Sequence, residues 1–179
     1  MTLLGVVLAG GESRRFGSDK ARALLHGVML ADHARATLAP FVADMAVSGG
    51  AGIPDRPAPG LGPLGGICGA LHHAAANGHA AILTIGCDTP FVPAGALAAL
   101  AAAPGAAFVA GTPIIGRWPV DLADALERHL RAGGDRAMRR WCAMIGATPI
   151  DAAPIANINR PGDLAALSPS DRARGRPPR

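Results

Sequence analysis

The sequence predicts an α/β protein, a single-domain, Rossmann-like, doubly wound and mostly parallel sheet. Three observations predict it. Leu3 to Leu8 and Ala80 to Ile85 are short, continuous apolar runs, the pattern of strands covered on both faces. Each run ends in a glycine- or proline-bearing turn and is followed by a segment of helical spacing. The alternation repeats along the chain without an internal sequence repeat, and repeated β-α units place ligands at the carboxyl ends of the strands. At 179 residues the chain suits one domain, since domains run to roughly 100–200 residues.

The first strand, Leu3 to Leu8, runs into Gly10-Gly11 and a glycine-rich loop. Ala23-Leu24-Leu25 and Val28-Met29-Leu30 flank His26-Gly27, a tight-turn signal leading into a helix over Asp32 to Leu38. Val42 to Ser48 reads as the second strand. From Gly49 to Gly62 glycine and proline accumulate, which predicts a long loop, and long loops in compact domains are often functional. Leu64 to Ala76 has helical spacing. Ala80 to Ile85 is the next strand, ending in the turn Cys87-Asp88-Thr89-Pro90, and Pro93 opens an alanine-rich helix to Ala103. Phe108 to Ala110 and Pro113 to Ile115 read as short strands. Val120 to Arg131 is an amphipathic helix stopped by Gly133-Gly134, and Asp135 caps a further helix to Ile145. Ala156 to Asn159 reads as a last short strand, with Pro161 starting a closing helix.

Composition excludes several classes. Half the residues are apolar, which argues against disorder over most of the length. Four Phe, two Trp and no Tyr give few platforms for stacking on single-stranded nucleic acid. The net charge of +4 sits mainly at the end: Arg172, Arg174, Arg176 and Arg179 against Asp171 leave residues 168–179 at +3 and residues 1–167 at +1. Residues 1–167 are therefore read as the folded domain and 168–179 as a basic, Pro/Arg-rich disordered tail with no assigned role. Neither a nucleic-acid nor a membrane partner is expected. Cys68, Cys87 and Cys142 form neither a CxxC pair nor an even secreted framework and read as reduced thiols, which suggests a cytoplasmic location. The six histidines make no metal site by their spacing. The opening MTLLGVVLAG lacks a basic segment ahead of its apolar run and reads as a buried strand, not a signal peptide. No stretch approaches the roughly 20 apolar residues of a membrane span.

Four segments carry candidate chemistry. In LAGGESRRFGSDK, residues 8–20, glycines let the backbone approach an anion, and consecutive N–H groups can cradle phosphates. Arg14 or Arg15 and Lys20 add positive charge. Lys20 is the only lysine among 17 basic side chains, and a compact ammonium suits bridging phosphate oxygens. A solvated loop would have the same composition, but placement after the first strand favours a site. Asp88, at the end of an apolar strand, is a candidate ligand for Mg²⁺, a hard cation that takes one or two carboxylates plus phosphate oxygens. An Asp that merely opens the turn before Pro90 is the alternative. Gly60-Leu61-Gly62-Pro63-Leu64-Gly65-Gly66 formally contains GxGxxG. The dinucleotide fingerprint needs a preceding strand and a later acid, and here a Pro-rich loop precedes it and Gly78-His79 stands where the acid is wanted. Asn157-Ile158-Asn159-Arg160-Pro161 places two amides at strand spacing, able to face a heterocycle, or forms a turn with an N-cap.

Taken in order, LAGGESRRFGSDKA, GPLGGI, CDTPF, the GRWP segment and NINRPGDL resemble the molybdenum cofactor guanylyltransferases of the nucleotidyltransferase superfamily, from about Leu4 to about Leu167. The resemblance implies a nucleotide-diphospho-sugar transferase type of fold. It implies transfer of GMP from GTP to the phosphate of molybdopterin or molybdenum-molybdopterin, with Mg²⁺ as cofactor and release of pyrophosphate. By it, Leu8, Ala9 and Gly10 bind the guanine nucleotide together with Ser48 and Asp55, Lys20 contacts its phosphates, and Asp88 holds the Mg²⁺. Lys20, Asp88 and Arg15 would form the catalytic set, with Asn157 and Asn159 on the molybdopterin side. Molybdoenzyme apoproteins or their chaperones are the implied protein partners, and a monomer or weak oligomer the implied state. The chain departs from the family pattern at Ser48, where an Asn is common, at Phe16 for Met, and at Thr112 for His. A molybdopterin cytidylyltransferase or a sugar-phosphate nucleotidyltransferase would use the same phosphate loop and Asp88. A non-catalytic cofactor carrier would need neither Lys20 nor a metal ligand.

Overall fold

The computed structural model describes residues 2–9 and 23–158. The phosphate-loop expectations at Gly10, Arg14, Arg15, Phe16 and Lys20, those at Asn159, Arg160 and Pro161, and the basic tail lie outside these residues.

A six-stranded sheet, in the order β4-β1-β5-β7-β6-β8, runs through the described residues. Its strands are β1 (Leu3–Leu8), β4 (Asp44–Ser48), β5 (Ala81–Gly86), β6 (Ala107–Val109), β7 (Thr112–Pro119) and β8 (Thr148–Ile150). A separate hairpin joins β2 (Leu24–Leu25) to β3 (Val28–Met29). His26 and Gly27 both have positive φ there, 52° and 81°, the combination a two-residue primed turn demands. The helices are α1 (Leu30–Leu38), α2 (Pro63–Ala76), α3 (Ala94–Ala102), α4 (Ala123–Arg131) and α5 (Met138–Met144).

Period-2 alternation divides the core into two layers. Leu4, Val6, Leu8 and Ile82 pack against Leu64, Ile67 and Leu71 of α2, Leu126 and Leu130 of α4, and Trp141 of α5. Val7, Leu83 and Ile85 meet Ala34 and Leu38 of α1 and Leu97 and Leu100 of α3. Strands β4, β1 and β5 are parallel, with β1 in the middle. The chain passes from β1 to β4 by way of α1 on one face and from β4 to β5 by way of α2 on the other. That reversal makes the gap beyond Leu8 and Gly86 the switch point, where such sheets hold ligands.

The far half of the sheet departs from the expected short strands. β7 runs antiparallel to both β5 and β6 and extends through Gly116-Arg117-Trp118-Pro119, four residues past the expected end at Ile115. Gly116 permits this, because the Trp118 indole lies against its Cα where a Cβ would clash. The indole N–H donates to Thr84 Oγ1 at 2.9 Å, and the Thr84 hydroxyl donates to the Ile114 carbonyl at 2.7 Å, so the fully buried pair is satisfied. Strand β8 was not expected. It is three residues long, contains Pro149 and pairs in parallel with β6 at the sheet edge, where a missing N–H is tolerated. The expected strand at Ala156 is absent among the described residues: 156–158 have no regular secondary structure. Asp135 sits two residues ahead of the Ala137 N-cap instead of capping α5, and its carboxylate accepts the Ala137 N–H at 2.9 Å.

Replacing Thr84 by Val keeps the shape but strands the Trp118 N–H in the core. The variant should lose about 1–3 kcal/mol in urea unfolding, the cost of an unsatisfied buried donor. A loss below about 0.5 kcal/mol would show that the bond contributes nothing net.

Candidate functional site

The switch-point crevice is built from the ends of three strands. On β1, Leu8 is buried and pairs with Ser48 of β4 and Gly86 of β5. The ladder continues one residue further: Ala9 N–H donates to the Ser48 carbonyl at 2.9 Å and Cys87 N–H to the Leu8 carbonyl at 3.1 Å. The Leu8-Ala9 backbone is thereby fixed between its neighbours.

On the β5 side the chain turns sharply after Gly86. Thr89 closes the turn with both its N–H and its hydroxyl, each 3.1 Å from the Gly86 carbonyl. Half-buried Asp88 folds its carboxylate back over the Gly86 Cα so closely that no Cβ would fit there. The structure thus puts Asp88 at the carboxyl end of a central strand, where it also opens the turn before Pro90. Two features the motif did not announce hold this turn in place. Thr37 of α1 donates to the Pro90 carbonyl at 2.6 Å. Phe91 joins Leu25, Leu30 and Ile158 in a small third core cluster. Through it Ile158, only 1% exposed, docks with its N–H on the Asp88 carbonyl at 2.8 Å. Asn157 is brought beside the Asp88 turn with its side chain exposed. Residues 156–158 form no strand, and the segment is held by that backbone bond and the Ile158 anchor.

The third wall is the loop between β4 and α2. Ile53 N–H returns to the Val47 carbonyl at 2.8 Å, and Arg56 N–H reaches the Gly65 carbonyl at 3.1 Å, so Asp55 is clamped between the end of β4 and the first turn of α2. Gly62 precedes that helix with φ of 68°, a left-handed conformation that suits glycine, and Pro63 occupies its first turn. The GxGxxG string thus follows a loop and forms a helix start, not a strand-to-helix dinucleotide turn. Gly65 and Gly66 let the Asp55 loop and β4 approach α2. A methyl on Gly66 would lie 2.9 Å from Ser48 Oγ, 3.3 Å from Leu8 Cδ2 and 3.6 Å from an Asp55 carboxylate oxygen. Ser48 is 1% exposed and donates to the Gly66 carbonyl at 3.1 Å, so its hydroxyl serves the β4–α2 contact. Thr112, at the start of β7, is half-buried.

Burial pushes the Asp55 carboxyl above its ordinary value, against the opposing pull of the Gly60 backbone N–H. Burial also pushes the Cys68 and Cys142 thiols up to about 11, so neither is a ready nucleophile. The described residues offer two carboxylates, Asp55 beyond the end of β4 and Asp88 beyond the end of β5, and no activated nucleophile, which suits group transfer by positioning and charge neutralisation.

Because Asp55 is raised in the folded state, its contribution to stability is present below the ordinary value of 3.8 and lost as pH rises through the folded value. Asp55→Asn should therefore hold or raise the urea midpoint at neutral pH and flatten its decline from acid to neutral. A lower midpoint at neutral pH would contradict the burial argument.

The MobA-like NTP transferase domain family matches residues 5–148. A molybdenum cofactor guanylyltransferase of Acidiphilium cryptum is 39% identical over 182 residues, covering 92% of this chain and 93% of that one. One from Cereibacter sphaeroides is 38% identical, covering 92% and 95%. Among solved structures, the molybdopterin-guanine dinucleotide biosynthesis protein A of Archaeoglobus fulgidus superposes with a TM-score of 0.64 at 21% identity, covering 90% of this chain and 95% of that one. The 2-C-methyl-D-erythritol 4-phosphate cytidylyltransferase of Thermus thermophilus superposes at 0.65 with 16% identity, covering 92% and 95%. These two show the shared nucleotidyltransferase fold.

Proposed function

The chain belongs to the MobA-like NTP transferase family, and from that premise we propose that it is a molybdenum cofactor guanylyltransferase, joining GMP from GTP to the phosphate of molybdopterin. The observation that supports the reading is the switch point, where the Leu8-Ala9 strand end, the Asp55 loop and the Asp88 turn extend from the carboxyl ends of three adjacent strands.

GTP enters with its phosphates along the loop from Leu8 through Ala9 and Gly10 to Lys20, where backbone N–H groups and the Arg15 and Lys20 cations meet them. Its base lies toward Asp55. A carboxylate accepts two hydrogen bonds at once, and guanine offers neighbouring donors at N1 and the exocyclic amine, an edge that cytosine and adenine lack. The burial that raises Asp55 also strengthens such a bond. Ser48 supports this wall from behind through Gly66.

Molybdopterin approaches from the other side, along Asn157 and Asn159, whose amides can donate to and accept from the pterin. A phosphate oxygen of molybdopterin attacks the α-phosphorus of GTP, the bond from that phosphorus to the β-phosphate oxygen breaks, and pyrophosphate leaves with the electron pair. Lys20 and Arg15 neutralise the charge on the departing phosphates. Asp88 is a half-buried residue in the turn closed by Thr89 on the Gly86 carbonyl, and its carboxylate is of the ligand type that would hold a Mg²⁺. When bound, that ion would supply further charge neutralisation at the phosphates. No helix among the described residues is long and apolar enough to cross a membrane.

Asp88→Ala and Lys20→Ala should each keep the fold by circular dichroism and lower kcat for pyrophosphate release by roughly 10²–10³-fold, the usual loss when one charge-stabilising group is removed. Full activity in either variant would overturn the mechanism.

A further inference from the structure

A second cluster of ligating side chains lies between α2 and α4, away from the crevice. Cys68 and His72 stand one helical turn apart on α2 and share a face. Glu127 reaches them from α4, and one ligand atom from each of the three lies within 4.8 Å of the others. Cys68 is fully buried, and the side chains of His72 and Glu127 are 21% and 12% exposed. Glu127 Oε2 lies 2.7 Å from His72 Nε2, yet that buried nitrogen makes no aligned hydrogen bond. A buried donor or acceptor in that condition calls for a partner.

We propose that Cys68, His72 and Glu127 form a binding site for a zinc-class divalent cation, separate from the Asp88 site and serving to clamp α2 to α4. Thiolate, imidazole and carboxylate are the ligand types that select zinc over magnesium, and three protein ligands leave a fourth position for water. Zinc bonds of about 2.0–2.3 Å require the His72 and Glu127 atoms to part slightly and the thiol to close in, a rearrangement of side-chain size. Charge also balances, since a thiolate and a carboxylate neutralise the ion. On binding, the Cys68 S–H proton passes to solvent. Two arginines compete for Glu127. Arg131 holds Oε1 and so leaves Oε2 on the His72 side. Arg56 contacts Oε2 at 3.2 Å but is 47% exposed, free to swing into water when a cation takes its place. The histidine spacing conceals the site because its third ligand comes from another helix.

Titration of the reduced, full-length protein with Co²⁺, a spectroscopic stand-in for zinc, tests this. One equivalent should produce a thiolate-to-cobalt charge-transfer band in the near ultraviolet, which Zn²⁺ then bleaches. The band should vanish in Cys68→Ala, weaken at least about tenfold in apparent affinity in Glu127→Gln, and persist in Cys142→Ala. Zinc should raise the Tm of the wild type and not of Cys68→Ala. No band in the wild type, or one surviving in Cys68→Ala, overturns the proposal. If Cys68→Ala fails to fold, His72→Ala decides on the same criteria. Binding of Mg²⁺ at Asp88 gives no thiolate band, so this result stands apart from the fate of the proposed function.

Discussion

The register between β1 and β5 is the constraint on which the rest of the crevice depends. Leu8 pairs with Gly86, and the bond from Cys87 N–H to the Leu8 carbonyl is both the last rung of the ladder and the floor of the site. Side chains alternate along a strand, so a slip of one residue would turn Val6 and Leu8 away from α2 and send Val7 there in their place. The two core layers hold that register, and the register sets the Leu8-Ala9 backbone opposite the Asp88 turn. Core packing and ligand geometry are in this sense the same requirement.

Helix α2 is built to serve that geometry at some expense to its own stability. Glycine inside a helix is worse than alanine by about 1 kcal/mol, and α2 carries Gly65, Gly66 and Gly69. Each faces something that leaves little or no room for a Cβ: the Asp55 carboxylate, the Ser48 hydroxyl and the Pro54 carbonyl. The close approach lets the loop carrying Asp55 lie on the helix start, and the same burial sets the Asp55 carboxyl above its ordinary range. A wall that destabilises the free protein at neutral pH is consistent with a group kept for its ligand.

The near half of the fold was legible because its signals are local. β1 was placed to the residue, and α2 and β5 to within one, by unbroken apolar runs and by proline and glycine at their ends. In the far half β6, α4 and α5 fall where they were expected, whereas β7 and β8 were not legible in full. β8 is held by pairing with β6 and carries a proline in its middle, and β7 continues through Gly116 and Pro119 only because Trp118 and Thr84 lock it to β5. No local pattern reports such tertiary support. At the site, Asp88 was singled out from its strand-end position and Asp55 from the family resemblance, and they stand beyond the ends of β5 and β4, the strands that flank β1. The inward use of the Ser48 hydroxyl and the anchoring of Asn157 through Ile158 were hidden, since both depend on contacts between distant parts of the chain.

The central claim is that this crevice reads guanine and transfers its nucleotide to a pterin phosphate. The most direct measurement is pyrophosphate release by the purified protein with Mg²⁺ and molybdenum-loaded molybdopterin, comparing GTP, CTP and ATP. Turnover with GTP alone is the predicted result. Preference for CTP would contradict the Asp55 reading and move the chain to the cytidylyl branch, and no turnover with any of the three would contradict the transferase reading in favour of a carrier or another acceptor.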